Sequence, residues 1–223
     1  MTPEQEARVV IDEKLEQSGW VVQNVAQLNL GAALGVAVRE FPTSTGPVDY
    51  ALFIDGDPVG VIEAKKSSVG ENITVVEEQS ARYATSSFKW INREYTIRFA
   101  YEATDKLIKF TDYKDIKYRS RRVFSFHRPE YLESLLQARD TIRNNMKYFP
   151  ALDTTGFREC QINAINNMDV SFADNHPRAL VQMATGAGKT FTAITEAYRL
   201  LKYGKMNRIL FLVDTKSLGE QAE

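Results

Sequence analysis

Ala184-Thr185-Gly186-Ala187-Gly188-Lys189-Thr190 follows an apolar run and opens a stretch with helical periodicity. A bound phosphate needs converging backbone N–H groups, a cation and, where magnesium travels with it, a hydroxyl. Gly186 and Gly188 allow close backbone approach, Lys189 supplies the charge, and Thr190 supplies the hydroxyl at a helix start whose dipole favours anions. A second constellation, Asp49, Glu63 and Lys65, is spaced D-x(13)-E-x-K. Its two carboxylates and the Ala64 carbonyl are hard oxygen ligands suited to magnesium. The lysine offers a cation to a scissile phosphate or an attacking water. This is the equipment of metal-assisted phosphodiester hydrolysis.

The elements that must position these groups can be read locally. Val48 to Ile54 and Val59 to Lys65 are apolar runs of strand length, and Asp55-Gly56-Asp57-Pro58 between them is dense in turn formers. Side chains alternate along a strand, so Glu63 and Lys65 share a face. A two-residue turn at Gly56-Asp57 would pair Asp49 with Ala64 and aim it away from both. The site therefore requires an odd loop such as Asp55-Gly56-Asp57, or a β-bulge near Asp49. Solvated strand-end charges, or pairing of Glu63 with Lys65 or Lys66, is the plain alternative. Solvated charges conflict with the apolar runs around Asp49 and Glu63, where an unpaired carboxylate is costly, whereas the ion pair stays open.

Upstream, Ala7, Val10, Ile11 and Leu15 stand at helical spacing and Gly19 is a good stop, giving a helix from Pro3 to Ser18. A helix is also expected over 73–84, strands over 95–101 and 107–112, and a helix over 130–148. Between them, 113–128 interleaves Lys114, Lys117, Arg119, Arg121, Arg122 and Arg128 with Tyr118, Phe124 and Phe126. Such a stretch could grip phosphates or form a solvated or inter-domain face. His127 reads as a structural hydrogen-bonding residue and His176, before Pro177, as a turn residue. Residues 150–156 read as a linker between a first domain, 1–149, and a second, 157–223. The second domain reads as helix 159–172, strand 179–183, the Gly-rich loop, helix 189–202 and strand 209–213, a strand–loop–helix–strand unit typical of a parallel α/β sheet.

The totals exclude several classes. The 223 residues are 43% hydrophobic and 26% charged, ordinary for a globular protein and wrong for a disordered one. A net charge of -1 leaves any DNA binding to local patches. The single cysteine, Cys160, rules out an internal disulfide framework. No run approaches a membrane span and the polar N-terminus is unlike a secretory leader, so a cytoplasmic protein is expected.

Particular motifs resemble known families. Met183 stands where the general phosphate loop has its first glycine, but A-T-G-x-G-K-T after a strand resembles the first motif of superfamily 2 helicases. Arg158 and Gln161 resemble that superfamily's R-x-x-Q adenine contact. Ile209 to Asp214 with Leu218 and Gln221 resembles its next motif. Pro47-Val48-Asp49 with Glu63-Ala64-Lys65 resembles the PD-(D/E)xK nuclease core, and Gln79 and Tyr83 match the Q-x-x-x-Y element of its RecB-like branch. In relatives of that fold a first-helix acid assists the metal, for which Glu6 and Glu13 are the candidates.

In this order, and with Ile11-Asp12, Gly19-Trp20 and Arg121 to Pro129, the chain resembles the restriction (R) subunit of type I restriction–modification enzymes over nearly its whole length. The resemblance implies an α/β protein: a restriction-endonuclease-like mixed-sheet domain, then the truncated start of a RecA-like motor domain. It implies ATP bound through Gln161, Thr185, Gly186, Ala187, Gly188, Lys189 and Thr190, and Mg2+ held by Asp49, Glu63 and Ala64 and, with the nucleotide, by Thr190. Lys65, Gln79 and Tyr83 would complete the nuclease site. Duplex DNA, a methyltransferase subunit and a specificity subunit would be the partners. The sequence reaches neither a D-E-x-H box nor a second motor lobe, so this piece alone is not expected to hydrolyse ATP. A type III restriction or repair nuclease–helicase, or a non-cutting docking module, are the competing readings.

Overall fold

The computed structural model describes residues 3–44, 46–65 and 97–213. Its elements are α1 Pro3–Gln17, β1 Val21–Asn24, β2 Gly35–Thr43, β3 Gly46–Ile54, β4 Asp57–Ala64, β5 Phe99–Ala103, β6 Ile108–Asp112, β7 Arg121–Val123, α2 Pro129–Gln137, α3 Ile142–Asn145, α4 Glu159–Ala173 and α5 Lys189–Lys202, with short 3-10 turns at Val25–Gln27 and Met146–Tyr148. They form two compact units. One comprises Met1–Lys114 with Tyr118–Ala138; the other comprises Asp115–Lys117 with Arg139–Glu223. That division precedes the 150–156 segment.

In the first unit a seven-stranded mixed sheet runs β1 to β7 in chain order. The β1–β2 and β4–β5 pairs are parallel and the others antiparallel. Alternation along the strands fills both faces. Ile11 and Leu15 of α1 join Trp20, Tyr50, Leu52, Ile62, Phe99 and Tyr101 in one cluster. Val36, Val38, Ala51, Phe53, Val61 and Ala100 lie in the other. The α1 stop works through Gly19, whose φ of +88° suits glycine. There Trp20 N–H donates to Leu15 O (3.1 Å) and Gly19 N–H to Glu16 O (2.9 Å), a Schellman closure that also seats Trp20 over Leu15. Strands β1 and β2 had no counterpart in the sequence reading. The helix expected over 73–84, with Gln79 and Tyr83, lies outside the described residues.

Two local expectations are corrected. The continuous helix over 130–148 breaks after Gln137, because Thr141 starts a new one: its Oγ1 accepts from Asn144 N–H at 3.1 Å, while Asn144 Nδ2 donates to Asp140. The strands expected over 179–183 and 209–213 do not form. Ladder pairing defines a strand, and neither run has a ladder partner among the described residues. Leu180, Leu210 and Leu212 are accordingly exposed.

In the second unit α4 and α5 form as read. Arg199 braces them, donating to Asp169 Oδ2 (2.6 Å) and Pro150 O (2.8 Å). Glu196 is buried with neither carboxylate oxygen hydrogen-bonded, and burial, aided by Asp169, pushes its pKa up to about 7. Among the described residues no helix is long and apolar enough to cross a membrane.

Candidate functional site

The β3–β4 hairpin turns at Asp55-Gly56, both at positive φ (48° and 81°), between the paired residues Ile54 and Asp57. A regular ladder from that turn would set Asp49 across from Ile62, and Glu63 on the other face. Instead the register shifts between Leu52 and Phe53: Phe53 pairs with Pro58, but Leu52 pairs with Gly60, leaving Val59 as the extra residue. Beyond this bulge Tyr50 pairs with Ile62, so one further step brings Asp49 across from Glu63. The turn is not the one considered from the sequence, but the bulge supplies the parity the site demands.

Both ladders of β3 are interrupted at Asp49. On the β4 side the last pair is Tyr50↔Ile62, and Asp49 Oδ2 accepts from Ala64 N–H at 2.9 Å in place of a backbone carbonyl. On the β2 side the register passes from Arg39↔Tyr50 to Phe41↔Val48, skipping Glu40, whose φ is +50°. A non-glycine residue in that region marks a locally forced backbone. Lys65 Nζ stands 3.6 Å from Glu63 Oε2, both side chains mostly buried. Asp49, Glu63, Ala64 and Lys65 are thus brought together at one end of the hairpin.

First-helix side chains surround this end. Arg8 donates to Asp49 Oδ1 (2.6 Å) and Glu40 Oε1 (2.7 Å). Asp12 accepts from Tyr50 Oη (2.8 Å) and from the Arg39 fork (Nη2, 2.9 Å). Burial, reinforced by Asp12, pushes the Tyr50 hydroxyl pKa up, so it stays a donor. Arg8, Asn24, Val25, Arg39, Glu40, Asp49 and Tyr50 line a cavity of about 360 Å³. Of the expected helix acids, Glu13 is exposed and the Glu6 side chain is not among those described; Asp12 is the acid that engages the sheet. Sequence reasoning missed Arg8, Asp12, Arg39 and Glu40. One signal existed: Arg8 and Asp12, four apart, flank the buried Ala7–Ile11–Leu15 stripe.

The register also carries charge across the sheet. Glu63 neighbours Glu102 on β5, Glu102 neighbours Lys109 on β6, and Lys109 neighbours Arg122 on edge strand β7. Arg119 and Arg122 are exposed and Phe124 fully so. His127 instead packs inward: its Nδ1 lies 2.7 Å from Tyr101 Oη and its ring 4.5 Å from that of Phe110. Burial, with Arg121 nearby, pushes its pKa down to about 4.

In the second unit the Gly-rich loop ends at Gly188, the α5 N-cap, with φ of +88°; Gly186 has φ of +77°. No acidic residue occupies the first turn of α5. Lys189 Nζ lies 3.3 Å from Ala184 O, and Arg158 Nη1 donates to Gly186 O at 2.8 Å. Gln161 is buried against the loop: its Nε2 donates to Ala187 O (3.0 Å) and its Oε1 accepts from Arg158 N–H (2.9 Å). A Cβ on Gly188 would fall 2.1 Å from that Nε2 and push Gln161 aside, and the φ of +88° strains any other residue there. Thr185 is exposed, and Ala187 and Thr190 are half-buried.

A mixed α/β chain with a carboxylate–lysine hairpin in one unit and a Gly-rich helix entry in the other matches known proteins in both parts. Residues 31–138 match the model of the type I restriction enzyme EcoKI endonuclease subunit second domain, and residues 154–223 that of the type III restriction enzyme res subunit. The type I restriction enzyme EcoKI endonuclease subunit of Escherichia coli (strain K12) is 29% identical, covering 98% of this chain and 23% of its own length. The EcoAI endonuclease subunit of Escherichia coli is 41% identical over 30% of this chain and 8% of its own length. A solved fragment of an HsdR subunit of a type I restriction enzyme from Vibrio vulnificus YJ016 is 21% identical, covers 93% of this chain and 39% of its own, and has a TM-score of 0.46. The chain thus spans less than a quarter of the length of the curated relatives it matches. Both parts of the chain are thus similar to restriction-enzyme endonuclease subunits, and nearly its whole length is similar to one from a type I system.

Proposed function

We propose that the first unit is a magnesium-dependent DNA endonuclease domain of the restriction-endonuclease-like, PD-(D/E)xK class. The second unit is the start of an ATP-driven, RecA-like translocase, and both serve type I restriction together with methyltransferase and specificity subunits. The observation that carries the reading is the Val59 bulge, which brings Asp49 across from Glu63 beside Lys65. A regular hairpin would have turned Asp49 to the face opposite Glu63 and Lys65.

The donor set fits a small, hard cation. Among the described residues no three His, Cys, Asp or Glu side chains cluster as a metal cage. Two carboxylates and the Ala64 carbonyl suit an ion that keeps much of its water, as magnesium does. Bound there, the ion would polarise the scissile phosphate and ease deprotonation of an attacking water. Asp49 and Glu63 hold the ion, and Lys65, kept close by Glu63, faces the developing charge. Further along the cross-sheet row, Lys109 and Arg122 are placed to hold a neighbouring phosphate of the same duplex. In the second unit Gly186, Gly188 and the α5 start cradle the phosphates of ATP, Lys189 supplies charge, and Thr190 serves its magnesium. Gln161 secures the loop from which it would reach adenine.

Lys65→Ala in the complete enzyme tests the nuclease reading. Cleavage is expected to fall roughly a hundredfold or more while DNA-stimulated ATP hydrolysis is retained. Unchanged cleavage would reduce the domain to a docking module.

A further inference from the structure

Arg8 is the residue at this site that the reading above leaves without a role. Asp49 has two carboxylate oxygens, and both are taken: Oδ2 by Ala64 N–H (2.9 Å) and Oδ1 by Arg8 Nη2 (2.6 Å). A magnesium ion bonds a carboxylate oxygen directly, at about 2.0–2.1 Å. A guanidinium hydrogen-bonded to the same oxygen competes for its lone pairs and repels a second cation. The other arm of the fork lies on Glu40 Oε1 (2.7 Å), whose side chain is 66% exposed. Arg8 therefore has a second carboxylate to stay on if it releases the first. Glu40 reaches this position through the break in β2 at its left-handed backbone, opposite Asp49.

Resting on the nuclease reading, we infer that Arg8 is the displaceable counter-ion of the metal site. Without metal it neutralises Asp49; when a divalent cation arrives it leaves Asp49 and remains on Glu40. Arg8 is a positioning residue of α1, so a displacement of α1 would open or close the metal site. A fork that merely held Asp49 in place would act in the opposite direction, because its removal would loosen a ligand and weaken metal binding.

That difference in sign is the test. Mn2+ alone is titrated calorimetrically into this chain, into Arg8→Met, which keeps the aliphatic stem, and into Asp49→Asn. Arg8→Met is expected to bind about tenfold more tightly than the unsubstituted chain, the scale of one charge-assisted hydrogen bond, and Asp49→Asn to lose the site. Binding by Arg8→Met that is equal or weaker, with Asp49→Asn still losing the site, overturns the counter-ion role and leaves the metal site standing. No Mn2+ binding by either the chain or folded Arg8→Met removes the metal site and the inference with it. Should Arg8→Met fail to fold, the unsubstituted chain decides through its own Arg8 guanidinium protons. Mg2+ is expected to speed their exchange with water as the Asp49 bond is lost, and protons unmoved by saturating Mg2+ contradict the role.

Discussion

Asp49→Asn is expected to remove DNA cleavage by the complete enzyme, by about a thousandfold or more, without unfolding the sheet. The substitution is nearly isosteric, and an amide oxygen can still accept from Ala64 N–H, the bond that ties the end of β3 to β4. The hairpin, its Val59 bulge and the buried neighbours Tyr50 and Ala51 are therefore kept. What disappears is a negative charge at the point where the β4 ladder of β3 ends and its β2 ladder is interrupted. A cation held by Glu63 and a carbonyl alone lacks a compensating charge, and removal of such preorganised electrostatics costs catalysis orders of magnitude. A plasmid cleavage assay beside a thermal melt checks both halves. Loss of cleavage with a melt lowered only by the lost Arg8 bond is expected, whereas full cleavage would exclude Asp49 as a ligand.

Arg98→Ala is expected to cost about 3–5 kcal/mol of stability. Arg98 Nη2 and Nε fork onto Asp112 at 2.7 and 2.8 Å, its Nη1 donates to Leu135 O, and its guanidinium lies 4.9 Å from the Phe99 ring centroid. One side chain thus joins β5, the end of β6 and α2. The Asp112 side chain is only 5% exposed, so truncating its partner leaves a carboxylate buried without its counter-ion. Replacing both partners, as Arg98→Met with Asp112→Asn, is expected to recover a large part of the loss because no net charge stays buried. Urea denaturation of the single and double variants measures this; a loss below about 1 kcal/mol for Arg98→Ala would show that the pair behaves as a surface bridge.

Local rules made much of this fold legible in the sequence. The α1 stripe of Ala7, Ile11 and Leu15 and the Gly19 stop are periodic and contiguous, as are the apolar runs flanking Asp55-Gly56 and the glycines before α5. Strand parity even dictated that the Asp49 site needs an odd-length loop or a bulge. The location of that bulge could not be read, since Val59 is one apolar residue among several in the run and carries no local mark. Strand β2 was hidden because its pattern is broken at Arg39-Glu40, where a charged residue adopts a left-handed backbone. The Arg8–Asp49 pair spans 41 residues of sequence, so no local window contains it. The 130–148 helix was misread for a simpler reason: Asp140-Thr141 is a capping signal inside a helical period, and the cap prevailed over the periodicity. The runs at 179–183 and 209–213 carry strand composition, but composition does not supply the neighbour that a ladder needs.

The central claim, that Asp49 and Glu63 form one metal site beside Lys65, is tested most directly by anomalous diffraction from crystals of this chain grown with a short duplex and soaked in Mn2+. The account predicts a peak bridged by the Asp49 and Glu63 carboxylates, with Lys65 alongside and Arg8 withdrawn to Glu40. Diffraction with no peak between them, the hairpin intact and Arg8 still on Asp49, would contradict it.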